Sequence, residues 1–178
     1  VQWMTAGSGI IHSEIPIQKN GFMQGFQLWV NSPAKEKMLP PKYRDIKASE
    51  ISLINEGTTT IKILAGNFKN YLGPIMGLST KLEFYDIKIG KDKFTFEGSM
   101  EKNYFVYVFG GNIKLNGDVI SSRNGISFSE KVIITSNDAA RFLLIGGKPL
   151  NEPIVQYGPF VMNTQQEILQ AMKDFNIR

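Results

Sequence analysis

The sequence predicts an all-β fold, a sandwich or a barrel, that ends in a single C-terminal helix. Residues 51–145 form a succession of short segments rich in Ile, Val, Phe, Tyr and Thr, separated by Gly, Asn and Asp, as in antiparallel sheets. Asn116-Gly117 lies between two such segments and favours a tight hairpin, because both residues can adopt positive φ. One segment with helical periodicity follows, and it begins at Thr164.

The N-terminal part of the chain precedes this sheet. Residues 1–31 hold two strand-like pieces, the second at 26–30, and are too few to enclose a core of their own. Residues 32–41 include Pro33, Pro40 and Pro41, which lack the backbone donor that a central strand needs, so we expect a linker there. The clearest strands follow it, and we predict them at 58–64, 81–89, 103–109, 113–115, 119–120, 131–135 and 141–145.

The C-terminal helix is predicted over residues 164–176. The Thr164 hydroxyl can accept a bond from the third helical amide while Glu167 reaches back to the start of the helix, which is a capping box. A single apolar face is formed by residues that recur at helical spacing, namely Ile168, Ala171 or Met172, and Phe175. We expect Phe175→Ala to cost about 3–5 kcal/mol if the ring is fully buried.

Composition narrows the class of protein. The 178 residues, 42% of them hydrophobic, suffice for one domain or a domain and a fraction. Because the chain has no cysteine, a disulfide scaffold and any thiolate site are excluded, and a cytoplasmic or nuclear location is the default. The net charge of +4 is not concentrated in a basic block, so we do not expect direct contact with nucleic acid. No apolar run is long enough for a membrane span.

His12 and Glu14 are the candidate metal ligands. In a strand, residues two apart point to the same face with Cα atoms about 6.6 Å apart, close enough to hold one cation. An imidazole with a carboxylate suits iron, manganese, nickel, copper or zinc. Two ligands are too few for tight binding, and the alternative on spacing alone is a surface histidine beside a solvated acid. The preceding Gly7-Ser8-Gly9 favours a turn over a phosphate loop, since no helix follows it.

Two further groups of residues are predicted to be structural. Asp86, Asp92 and Glu97 are dispersed among the hairpins, and no pair of carboxylates has a spacing that predicts acid and base catalysis, so we expect them on solvated faces. The aromatic residues within 104–109 alternate as core and surface residues of a strand do, which favours packing over a pocket lining.

Four long blocks carry the most distinctive sequence. They are VQWMTAG with IHSEIP within 1–16, GFQLWVN at 25–31, KM with PPKY within 37–43, and the stretch 143–164, which contains GGKPLNEP and GPFVMNT. Together these blocks resemble the pirin family of the cupin superfamily. The resemblance covers nearly the whole chain, although the middle, from 51 to 140, matches only in general pattern.

The resemblance implies a bicupin, two β-barrels in tandem, with a metal in the N-terminal barrel held by three histidines and one glutamate. His12 and Glu14 match the third and fourth ligands, whereas the first two belong to a His-x-His motif upstream of Val1. The implied domains are 1–47, the C-terminal part of the metal-binding cupin with a linker, and 48–178, a complete metal-free cupin with the terminal helix. This chain alone is therefore expected to bind metal weakly or not at all, and to self-associate through exposed barrel edges.

The resemblance implies two functions that use the same metal motif. The first is a quercetin dioxygenase dependent on Fe²⁺, or on another divalent transition metal, that acts on a flavonol-like small molecule and dioxygen. Glu14 would then be both a metal ligand and the catalytic base. The second is a redox-sensing regulatory protein, without enzymatic activity, that binds transcription factors or metabolic enzymes. A third alternative is an inactive fragment.

Overall fold

The computed structural model describes residues 1–15, 18 and 20–177 of the chain. Single turns of 3₁₀ helix lie at Ala34–Glu36 and Ala48–Glu50, and the helix α1 spans Gln165–Ile177. The strands, in chain order, are β1 Gln2–Thr5, β2 Lys42–Asp45, β3 Ser52–Glu56, β4 Thr59–Ala65, β5 Asn67–Phe68, β6 Tyr71–Leu72, β7 Glu83–Ile89, β8 Asp92–Glu97, β9 Asn103–Gly110, β10 Asn112–Leu115, β11 Asp118–Ser121, β12 Gly125–Phe128, β13 Lys131–Ser136, β14 Ala140–Gly147, β15 Val155–Tyr157 and β16 Phe160–Met162.

Two antiparallel sheets make up most of the structure. The larger has six strands in the order β12-β9-β14-β7-β4-β3, and the smaller has four in the order β11-β10-β13-β8. Three two-stranded sheets, β1 with β2, β5 with β6 and β15 with β16, complete the set. The sequence prediction of an all-β fold with one C-terminal helix is confirmed.

The two large sheets share one hydrophobic core, because alternate residues of each strand point inward. Phe142 of β14 is fully buried, and its ring centroid lies 6.3 Å from that of Phe94 on β8. Phe96, also on β8, packs edge-on against Tyr104 of β9 at 5.1 Å. These ring contacts join the six-stranded sheet to the four-stranded sheet.

The hairpin at Asn116-Gly117 forms as the sequence predicts. Both residues have positive φ, 51° and 104°, and the flanking strands pair from Leu115 with Asp118 outward. Asn116 also accepts a hydrogen bond at its Oδ1 from the amide of Ile133, on the neighbouring strand β13, at 2.8 Å. The turn therefore aligns β10 both with β11 and with β13.

The N-terminal strand prediction is only half correct. β1 is present, but residues 26–30 do not form a strand. Trp29 is 63% exposed and Phe26 is 45% exposed. A strand needs a neighbouring strand for its backbone amides and carbonyls, and none of the sheets among the described residues includes this segment. The predicted linker at 32–41 holds the turn of 3₁₀ helix at Ala34–Glu36 and no strand.

Contacts group the chain into two compact units. One consists of Val1–Trp3 and Asp45–Pro149 and contains both large sheets, and the other consists of Met4–Arg44 and Leu150–Arg178. The units are defined by contacts, whereas the predicted domains 1–47 and 48–178 rest on the resemblance, so that domain division stays a prediction. Among the described residues, no helix has both the length and the apolar character that crossing a bilayer requires.

The capping box at the start of α1 is present. The Glu167 amide donates to Thr164 Oγ1 at 3.2 Å, and the Thr164 amide donates to Glu167 Oε2 at 2.7 Å. Ile168 is buried, but Phe175 is 53% exposed and contacts Phe160 at a centroid distance of 5.9 Å. The expectation of a buried Phe175 is wrong, because its ring packs on Phe160 of β16 while about half of the residue stays exposed. Truncating Phe175 should therefore cost less than 3–5 kcal/mol.

Replacing Thr164 by alanine is expected to lower the free energy of unfolding by about 1 kcal/mol, because an amide at the helix start loses its acceptor. Urea-induced unfolding followed by far-UV circular dichroism measures the change. Gln166→Ala is the matched control, since Gln166 is exposed on the same turn and alanine is a good helix former. Equal midpoints for the two variants would contradict the capping role.

Candidate metal centre

A tight turn after β1 leads into the candidate site. Gly7 has φ +52°, and a Cβ placed on it would lie 2.1 Å from the carbonyl oxygen of Leu39. The same carbonyl accepts a bond from the Ser8 amide at 2.9 Å. Only glycine fits this close backbone approach, which supports the turn interpretation of Gly7-Ser8-Gly9 over the phosphate-loop alternative.

His12 and Glu14 lie in a segment without regular secondary structure that follows this turn. Residues 10–15 are not assigned to a strand, and both candidate side chains are exposed. The condition for a shared face, that these residues lie in a strand, is not met, because they belong to none of the sheets in the described part of the chain. The inference that both side chains share a face therefore loses its geometric basis. Their assignment as metal ligands stays a prediction from the resemblance.

The Glu14 carboxylate is held by the side chain of Gln27. Gln27 Nε2 donates to Glu14 Oε1 and to Glu14 Oε2, each at 2.8 Å. The sequence reasoning assigned no role to Gln27. A signal was present, because Gln27 is the one polar residue in the apolar run at 26–30.

The donors present fit a transition-metal site in type but not in number. A neutral imidazole and a carboxylate are ligands that iron and its neighbours accept. Within the described ranges, however, no three His, Cys, Asp or Glu side chains cluster closely enough to hold an ion. His12 and Glu14 can thus supply two of the four protein ligands that the resemblance implies, and the other two must come from elsewhere.

A buried lysine lies in the same compact unit as these two residues. Lys37 is 8% exposed, and its Nζ donates to Asn31 Oδ1 at 2.6 Å and to the Val161 carbonyl at 3.0 Å. Burial lowers the pKa of Lys37, and the nearby carboxylates of Glu152 and Glu167 oppose that shift. The ammonium therefore connects residues 31–37 to the C-terminal segment.

Glu152 and Asn163 extend this network. Glu152 Oε2 accepts bonds from the Ala34 amide at 2.7 Å and from Asn163 Nδ2 at 3.1 Å. Asn163 Nδ2 also donates to the Pro153 carbonyl at 2.9 Å. The sequence reasoning used these residues only as part of the family blocks and missed their contacts, since pairs separated by 10 to 118 positions leave no helical or strand periodicity.

The core of the two large sheets holds a polar cluster of its own. Lys102 Nζ donates to Glu83 Oε1 at 2.6 Å, and both side chains are largely buried. Tyr104 OH accepts a bond from the Ser99 amide at 2.8 Å. Burial, together with the Glu83 charge, raises the pKa of Tyr104 to about 12, so its hydroxyl stays protonated at neutral pH.

The dispersed carboxylates have structural partners that the expectation of solvated faces did not include, and the Asp86 side chain is only 14% exposed. Asp86 accepts from Arg141 Nε at 2.9 Å, and Asp92 accepts from the amides of Thr58 and Lys93 at 3.0 and 2.7 Å. Those amide bonds lower the pKa of Asp92. The alternation predicted for 104–109 is also present, since Tyr104 is buried and Phe105 is 39% exposed.

Family models match both parts of the chain. The model described as the pirin C-terminal cupin domain matches residues 84–178, and the model described as pirin matches residues 1–30. The second of these ranges contains His12, Glu14 and Gln27.

Curated relatives and solved structures agree with these matches. A Pseudomonas aeruginosa protein provisionally named a quercetin 2,3-dioxygenase is 39% identical over 98% of this chain and 65% of its own length. Pirin-1 of Arabidopsis thaliana is 36% identical over 98% of this chain and 63% of its own. The crystal structure of a quercetin 2,3-dioxygenase from Acinetobacter baumannii has a TM-score of 0.78 and 32% identity, covering 83% of this chain and 54% of that one.

The chain thus spans about two thirds or less of the length of these relatives. The shared fold with a solved dioxygenase identifies the sheet architecture as that of a cupin. On the family matches and the identities above, the chain belongs to the pirin family of the cupin superfamily.

Proposed function

We propose that the full-length protein is a metal-dependent dioxygenase that opens flavonols such as quercetin, with Fe²⁺ as the metal. His12 and Glu14 are two of its ligands, and Glu14 is also the base. The observation that supports the proposal is the pirin match over residues 1–30, a range that contains a histidine and a glutamate two apart, the residue types and spacing that the resemblance assigns to ligands. The quercetin dioxygenase names among the relatives support the substrate class.

The chemistry assigned to this chain is the transfer of one proton. A carboxylate oxygen of Glu14 takes the proton of the flavonol 3-hydroxyl, and the substrate oxygen becomes an oxyanion. When bound, the metal supplies positive charge that lowers the pKa of a hydroxyl beside it. His12 contributes a neutral imidazole donor. The overall reaction consumes one dioxygen and releases one carbon monoxide for each flavonol opened.

Aerobic turnover of quercetin by the full-length, iron-loaded protein tests this proposal. We expect loss of the long-wavelength quercetin absorbance with release of carbon monoxide, and no turnover by His12→Ala or Glu14→Ala, because both lose a metal ligand. Glu130→Ala is the control, since Glu130 is exposed and lies in the other compact unit. Unchanged absorbance with iron bound would count against the enzyme and favour the redox-sensing regulatory alternative.

A further inference from the structure

One side-chain nitrogen contacts both oxygens of the Glu14 carboxylate. The two distances from Gln27 Nε2 are equal, at 2.8 Å each. An atom equidistant from the two oxygens lies in the plane that bisects the carboxylate. A cation that binds both oxygens lies in that same plane, closer to the carboxylate.

The Gln27 amide and a metal cannot share this position. A metal therefore has two ways to bind Glu14: it displaces the amide and takes both oxygens, or it takes one oxygen while the amide keeps the other. The second way retains a hydrogen bond to a charged acceptor, the stronger class of hydrogen bond. It also leaves the orientation of the carboxylate determined by a neutral group that does not titrate.

We propose that Gln27 is a positioning residue that restricts Glu14 to one-oxygen coordination and orders it before the metal binds. This inference rests on the proposed metal site. Glu14 and Gln27 are both exposed, so without their mutual hydrogen bond each side chain samples several rotamers. Metal binding must then restrict Glu14 to one rotamer, at a cost in conformational entropy. A partner that orients a metal ligand typically contributes 10–100-fold, by order of magnitude, to metal affinity.

The test compares Gln27→Ala and Gln27→Glu in the full-length protein, with Co²⁺ as the probe. Gln27→Glu keeps the size of the side chain and replaces the donor by a like charge. Gln24→Ala is the matched control, because Gln24 is an exposed glutamine three residues earlier. Two quantities are measured: the Co²⁺ dissociation constant, by competition with a chromophoric chelator, and the visible d–d spectrum together with the carboxylate stretching bands, which report coordination mode.

We expect Co²⁺ affinity to fall about 10–100-fold in Gln27→Ala. Gln27→Glu should not show this fall, because its added negative charge attracts the cation, but its spectra should differ from those of the unmodified protein. The carboxylate bands should move toward a two-oxygen mode in Gln27→Ala, a change that a purely structural role would not produce. Gln24→Ala should match the unmodified protein. Far-UV circular dichroism confirms that each variant is folded.

Two outcomes separate this inference from the proposed function. If Glu14→Ala loses Co²⁺ while Gln27→Ala and Gln27→Glu match Gln24→Ala in affinity and spectra, the positioning role is overturned and the metal site stands. If Glu14→Ala binds Co²⁺ as tightly as the unmodified protein, the metal site fails, and the role of Gln27 fails with it.

Discussion

Replacing Phe142 by alanine is expected to lower the free energy of unfolding by about 3–5 kcal/mol, since this ring is fully buried. Phe142 lies on β14, which pairs with β7 on one side and with β9 on the other. Its ring also packs against Phe94 of the four-stranded sheet. The truncation thus leaves a cavity between two sheets whose backbones are fixed by ladders, so the walls can relax only in part.

Urea-induced unfolding of the Phe142→Ala variant measures this cost. Phe105→Ala is the matched control, because Phe105 lies on the neighbouring strand β9 and is 39% exposed. The control variant should lose much less stability, since part of its ring is in water already. If the two variants unfold at the same denaturant concentration, the core placement of Phe142 is refuted.

Replacing Lys37 by alanine is expected to lower the free energy of unfolding by about 3–4 kcal/mol. Removing three methylenes of buried stem accounts for about 2 kcal/mol, at roughly 0.8 kcal/mol each. The Asn31 Oδ1 and Val161 carbonyl acceptors also lose their donor, which adds about 1–2 kcal/mol. Lys35→Ala is the control, since Lys35 is exposed on the adjacent 3₁₀ turn and should change stability by no more than about 0.5 kcal/mol.

The contribution of Lys37 to the free energy of unfolding also depends on pH. Because burial lowers the pKa of Lys37 below 10.5, the unfolded chain binds more protons at this residue between the folded and unfolded pKa values. Stability therefore rises with pH across that window in the unmodified protein. The rise should be smaller in Lys37→Ala. Hydrogen exchange of the α1 amides, compared at neutral and alkaline pH, measures the loss of stability in Lys37→Ala and the smaller dependence of its stability on pH. Identical exchange in the variant and in the unmodified protein would contradict both expectations.

Several of the strands that sequence reasoning found have a clear period-two pattern, but β8, which alternates as well, was missed. The prediction of 103–109 agrees with β9 to one residue, because inward and outward residues alternate along its whole length. The strands β5 and β6 have two residues each, too few to show any period. The apolar run 26–30 shows the opposite failure, since β-forming residues do not make a strand where no neighbouring strand pairs with them.

The candidate site was predictable only in its residue types. The sequence identified His12 and Glu14 from their spacing and from the family blocks. It could not identify the contact of Gln27 with Glu14, because a hydrogen bond across 13 positions depends on how the chain folds back. The network of Lys37 was hidden for the same reason. Its partner Val161 is 124 positions away.

The grouping of Leu150–Arg178 with Met4–Arg44 has a consequence for synthesis on the ribosome. The chain emerges from its N-terminus, yet the partners of Lys37 and Ala34 in this unit, Val161 and Glu152, are translated more than 100 residues later. The unit with the large sheets has its strands once Pro149 has emerged. The contacts that join these two segments can therefore form only after the later segment has been translated.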